Sequence, residues 1–188
     1  MFNAVLNEHI QVVTALQKLE SKINAAAELI IETMKRGGKI LLMGNGGSAA
    51  DAQHIAAELV VRYEKNRVAL PAIALTTDSS ILTATGNDFG FDQLFSRQVE
   101  ALARKGDLVI GISTSGESVN IIRALKVAEE IGVDTIGLTG ASGSSVAEIV
   151  TQNIAVPSSV TARIQEAHIL IGHYWCQQVD TLPREQWA

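Results

Sequence analysis

Residues 39–54 read KILLMGNGGSAADAQH, and the fold follows from how that stretch changes character. Ile40–Met43 are four apolar residues in a row with no polar alternation, as in a strand covered on both faces. Glycines at 44, 46 and 47 break the run, and from Ser48 onward the pattern becomes helical. A strand, a serine- and glycine-rich turn and a helix make up one step of a parallel α/β unit. Residues 107–118, DLVIGISTSGES, repeat the same design.

Outward from these two stretches lie further β-type segments, PAIALT at 71–76, DTIGLTG at 134–140 and NIAVP at 153–157. Helical stretches are expected after Ser48, Phe91, Ser118 and Ser144, and a closing helix from about Thr161 to Val179. Apolar strands separated by helices describe a five-stranded parallel sheet with helices on both faces, a three-layer α/β/α sandwich. The first 37 residues carry two helical patterns, with Val5, Ile10, Val13 and Leu16 on one side of the first and Ile23, Ala27, Leu29, Ile30 and Met34 in the second. We read residues 1–188 as one domain, with the helices of 1–37 packing between subunits to bury their apolar faces.

In an open parallel sheet, ligands bind beyond the carboxyl ends of the strands. Both serine–glycine turns fall at such ends. A helix start leaves N–H groups without partners and carries the positive end of the helix dipole, so two such turns suggest a phosphorylated ligand held from both sides. Ser113, Thr114, Ser115 and Ser118 place four hydroxyls around Gly116. The plainer alternative is that Ser115 or Ser118 only caps the next helix. GNGGSA lacks the dinucleotide G-x-G-x-x-G spacing and has no Walker lysine behind it, which argues against nucleotide chemistry.

Two further groups of side chains could act on a bound sugar. His54 and Glu58 are four residues apart and share a helix face, a spacing that suits one divalent metal or a proton-transfer pair, and equally an ordinary surface contact. The closing TARIQEAHILIGHYW, residues 161–175, carries Gln165 and His173 among apolar residues. Eight residues are about 12 Å of helix, so these two reach one point only by leaning together or by coming from different subunits. His168 reads as structural. In VRYEKNRVAL, residues 61–70, Arg62, Lys65 and Arg67 read as a solvated helix end, the alternative being an arginine that faces a ligand or another subunit.

Composition narrows the field. The chain has 188 residues, 47% of them hydrophobic and 19% charged, and a net charge of −5, so it offers no broad positive field for nucleic acid or anionic lipid. The one cysteine, Cys176, excludes disulfide frameworks within a chain and suits the cytoplasm. No apolar run approaches the roughly 18 residues of a membrane helix.

Taken together, GNGGSAADAQH (44–54), the AEL behind it (57–59), GNDFGF (86–91), ISTSG (112–116) and ARIQEAH (162–168) before His173 resemble the phosphoheptose isomerases of the sugar-isomerase (SIS) superfamily, across nearly the whole chain. The resemblance implies a flavodoxin-like SIS fold and conversion of sedoheptulose 7-phosphate to D-glycero-D-manno-heptose 7-phosphate, towards the heptose of lipopolysaccharide core. It implies a cytoplasmic homotetramer with one Zn2+ per subunit and no organic cofactor. Metal ligands fall on His54, Glu58, Gln165 and His173. Substrate contacts fall on Asn45, Gly46, Gly47, Ser48, Glu58, Asn87, Asp88, Ser113, Thr114, Ser115, Ser118 and Gln165. Glu58 becomes the candidate base and His173 the candidate acid for an enediol isomerisation. The chain departs from the family in three places: Glu117 stands where Asn is common, the serines of GASGSS (140–145) replace a glycine pair, and Ala162 stands where some members have an acid. The alternative is a non-catalytic SIS protein that binds the replication initiator.

Overall fold

The structure is a computed structural model; it describes residues 1–141, 144–182 and 187. Ser142 and Gly143 of GASGSS and Pro183 lie outside them. Two helices, α1 (Phe2–Ala15) and α2 (Glu20–Lys35), joined by a 3-10 turn, precede the first strand. There follow β1 (Ile40–Gly44), α3 (Gly47–Val60), β2 (Ala72–Ala74), α4 (Ser79–Asp88), α5 (Ser96–Leu102), β3 (Leu108–Ser113), α6 (Val119–Ile131), β4 (Asp134–Thr139), β5 (Gln152–Ala155) and α7 (Thr161–Asp180). All four pairings are parallel, and the strand order is β2-β1-β3-β4-β5. The order reverses between β1 and β3, so the two serine–glycine turns, which leave those strands, sit side by side at the switch point.

The pleat sorts each strand between two cores. Ile40, Leu42, Leu108, Ile110 and Ile112 face α2, α3 and α7, while Leu41, Met43 and Val109 face α5 and α6. Every residue of β1 and β3 is buried, which explains their unbroken apolar runs.

Three expectations need correction. Residues 145–149 form successive turns rather than a helix, because only seven residues separate Ser144 from β5 and their N–H groups bond back locally, Ala147 to Ser144 and Ile149 to Val146. α4 was not expected. It starts at Asp78, whose side chain accepts the N–H of Ile81 at 2.9 Å, a capping signal hidden among neighbouring Thr and Ser residues. On α1 and the 3-10 turn after it the inward residues are Val12 and Leu16, whereas Phe2, Val5, Leu6 and Ile10 are exposed. Among the described residues no helix is long and apolar enough to cross a membrane.

Candidate functional site

The β1–α3 turn is shaped by Gly46, whose φ of 56° is open to glycine, and by Gly47, where a Cβ would lie 2.5 Å from Gln165 Nε2. Gln165 therefore rests on the first turn of α3. Asn45 and Asn120 exchange two amide hydrogen bonds of 2.9 Å each, tying this turn to the start of α6. Ser48 is buried.

At the neighbouring β3–α6 turn, Ser113 Oγ lies 3.0 Å from Ser118 Oγ and 3.5 Å from Ser115 Oγ. The N–H of Gly116 donates to Ser113 Oγ at 3.1 Å, and that of Glu117 to Ser115 Oγ at 3.1 Å. Ser118 is the N-cap of α6 yet makes no side-chain capping bond. Its hydroxyl turns to Ser113 instead, so the plain capping alternative fails for Ser118. Thr114 is half-buried, and its carbonyl accepts the N–H of Gly140. Three hydroxyls thus converge on the first turn of a helix, the environment a phosphate oxygen needs.

The ionisable cluster lies farther along α3. His54 Nε2 is 2.9 Å from His173 Nε2 and 3.4 Å from Glu58 Oε1. The contact is within one chain because α3 and α7 run side by side in the same direction, Gly47 meeting Gln165 and Ile55 meeting Gly172. Gln165 is left about two helical turns short of His54, as the helix rise requires. Asn87 and Asp88 stand apart, exposed at the end of α4, where Asn87 Nδ2 donates to Asp88 Oδ1 at 2.7 Å.

Several neighbours of this cluster escaped the sequence reading. Tyr63 stacks on the His173 ring with centroids 5.5 Å apart, while His54 meets His173 edge-on at 5.0 Å. Asp51, one turn before His54, has its carboxyl lifted to about 6 by burial, against the opposing pull of His54. Its Oδ2 is buried without a hydrogen-bond partner among the described residues. The spacing 47, 51, 54, 58 marks one helix face and could have flagged it. Arg67 is not solvated: its side chain, 5% exposed, pairs with Asp180 at 2.9 Å. It also donates to the carbonyls of Glu58, Leu59 and Val68. Asp180 in turn accepts the N–H groups of Glu64 and Lys65. His168 is fully buried, its Nε2 donating to the Thr139 carbonyl at 3.1 Å.

Two imidazoles and a carboxylate are the donor types of a divalent zinc site, and tetrahedral ligands about 2.0–2.1 Å from zinc stand roughly 3.3 Å apart. The 2.9 and 3.4 Å separations bracket that value. Among the described residues no three such groups already enclose a cation position.

Residues 3–140 match the SIS domain family. The chain is 54% identical over 184 residues to the phosphoheptose isomerase of Aliarcobacter butzleri, covering 96% of this chain and 97% of that one. Among solved structures it is similar to a phosphoheptose isomerase from Neisseria gonorrhoeae, with a TM-score of 0.90 at 46% identity. It is similar also to one from Francisella tularensis, with a TM-score of 0.93 at 37% identity. In both, the match covers 96% of this chain and 97% of the other.

Proposed function

The chain belongs to the phosphoheptose isomerase family of SIS-domain proteins and is an aldose–ketose isomerase of a heptose phosphate; from that premise we propose how its own residues carry the reaction. The phosphate of sedoheptulose 7-phosphate is held by the hydroxyls of Ser113, Ser115 and Ser118, with Thr114, Asn45, Gly46, Gly47, Ser48 and Gln165 lining the adjoining turn. Isomerisation moves a proton between C1 and C2 through an enediol. Glu58 is the base: its Oε1 lies 3.4 Å from His54 Nε2, and its carboxylate takes the carbon-bound proton. His173, held by Tyr63 and His54, exchanges protons with the sugar oxygens. Asn87 and Asp88 are substrate contacts supplied from the edge of the molecule.

His54, Glu58 and His173 would hold a divalent cation, with Gln165 a further donor only from another copy of the chain, since the chain's own Gln165 lies at the glycine turn, and zinc suits that set. Such an ion supplies positive charge where the sugar oxygens become negative.

The observation that carries the reading is the meeting of His54, Glu58 and His173 in a chain whose strand tips present converging hydroxyls. Glu58 lies eleven residues beyond Gly47, about 16 Å of helix, more than an extended seven-carbon phosphate spans. The hydroxyl turn of one copy then works with the Glu58 of another, which calls for an assembly of two or more copies; a homotetramer with α1 at its centre is the form we propose. Phe2, Val5, Leu6 and Ile10, exposed in the single chain, are the surface for it. A cytoplasmic location accords with a phosphorylated substrate and a lone buried cysteine.

Metal analysis of the purified protein tests the cluster. One zinc per chain is expected, and His173→Gln should lose metal and turnover together, turnover falling about 10²–10⁴-fold. Full metal and full activity in that variant would refute the assignment.

A further inference from the structure

Glu117 has no place in the reading above, yet its carboxylate is fully engaged. The Ser145 N–H donates to Oε1 at 2.8 Å and the Ser145 hydroxyl to Oε2 at 2.6 Å. Two backbone bonds run beside this fork, from the Gly140 N–H to the Thr114 carbonyl at 3.1 Å and from the Val146 N–H to the Gly116 carbonyl at 3.2 Å. Gly116 has a φ of 70°, and a Cβ on it would fall 2.0 Å from Ser144 Cβ. The segment that leaves β4 is thus tied to the hydroxyl turn through Gly140, Ser145 and Val146, and among the described residues Glu117 is the only side chain of the turn that takes part.

An exposed carboxylate ordinarily stays with water, and a negative charge beside a phosphate site is unfavourable by itself. Here the two bonds from Ser145 hold the carboxyl below its ordinary range despite its exposure. Both oxygens point away from helix capping and into the neighbouring segment.

We propose that Glu117 is a positioning residue for the substrate phosphate: by gripping Ser145 it holds the turn 113–118 in the conformation in which the hydroxyls of Ser113, Ser115 and Ser118 converge. The proposal rests on that turn being the phosphate site. Its charge is tolerated because the fork, not the charge, is what the turn needs.

Replacing the carboxylate by an amide separates the two effects. In Glu117→Gln the side-chain oxygen still accepts from the Ser145 N–H and the amide nitrogen donates to Ser145 Oγ, so the fork persists without the charge. In Glu117→Ala it is gone. The measurements are KM and kcat for sedoheptulose 7-phosphate and the competitive inhibition constant of inorganic phosphate, on the full chain. Glu117→Ala should raise KM and the phosphate constant together by about tenfold, the size of one lost hydrogen-bonding arrangement, with kcat falling less than about threefold. Glu117→Gln should return both constants to the native values or below, and Ser145→Ala, which removes one of the two bonds, should give an intermediate rise. Ser145→Ala also serves if Glu117→Ala fails to fold. Tighter phosphate binding in both Glu117 variants would mean that only the charge matters and would overturn the proposal, as would unchanged constants in Glu117→Ala. Ser115→Ala and Ser118→Ala distinguish the premise: if they leave the phosphate constant unmoved, the turn is not the phosphate site, whereas if they raise it and Glu117→Ala does not, only the role of Glu117 fails.

Discussion

Gly47 and Gly116 set the limits of the site at the scale of single residues. A methyl group at position 47 meets only the amide end of Gln165, a flexible neighbour, and the backbone there needs no positive φ. Gly47→Ala should therefore unfold within about 1 kcal/mol of the native protein while displacing Gln165 and raising KM, checked by thermal melting and steady-state kinetics. Gly116→Ala meets both a left-handed backbone and the Cβ of Ser144, so it should cost at least about 1–3 kcal/mol and weaken phosphate binding in the same protein. Both glycines stand out in the sequence because each lies in a serine–glycine turn between an apolar run and a helix. Asp51 shares a helix face with His54 and Glu58, but only the burial of its Oδ2 singles it out. Tyr63 does not stand out, because its ring reaches His173 from a loop distant in sequence.

At the scale of elements, the site depends on α3 and α7 lying parallel, and Arg67 fastens their ends. It takes up carbonyls at the end of α3 and pairs with Asp180 at the end of α7, so the register of Glu58 against His173 is held by one guanidinium. Arg67→Ala leaves Asp180 buried without its cation and should cost about 3–5 kcal/mol, read from urea unfolding, with activity falling as the Glu58 end of α3 loosens. β1 and β3 were legible because each is an unbroken, fully buried apolar stretch, and the remaining strands because each carries a short apolar segment between helical patterns. The helix expected after Ser144 failed for want of length, and α4 went unseen because a single aspartate cap among threonines and serines resembles a loop. Arg67 read as a surface residue because the partner that buries it lies 113 positions away. Gln165 and His173 posed a question of reach that helix rise alone could state; the structure answers it by placing one at the glycine turn and the other at His54.

For the molecule as a whole, acid should destabilise the fold in two successive windows. His168 is buried neutral and titrates near 4, against 6.5 when free, so its contribution is complete above pH 6.5 and is lost as pH falls towards 4, by up to about 3 kcal/mol. Burial pushes the Asp107 carboxyl up, but hydrogen bonds from Lys39 and Arg104 together outweigh it and leave it below its ordinary range. The stability Asp107 contributes is therefore present above about pH 4 and lost below it, as pH falls through its folded-state value. Denaturant titrations across pH should show the first slope in the native protein and its absence in His168→Phe. The fold of the whole chain and its two serine–glycine turns were legible because they rest on local pattern, and helix rise alone raised the question of a second copy; which side chains of α3 and α7 meet within one chain was not legible, because it depends on how the two helices pack. The most direct test of the proposed reaction is the turnover of sedoheptulose 7-phosphate by the native protein and by Glu58→Gln, followed as the aldose product. The native protein should form the aldose 7-phosphate, and Glu58→Gln should remain folded and slow by about 10²–10⁴-fold. An unimpaired Glu58→Gln, or a native protein that forms no aldose, would contradict it.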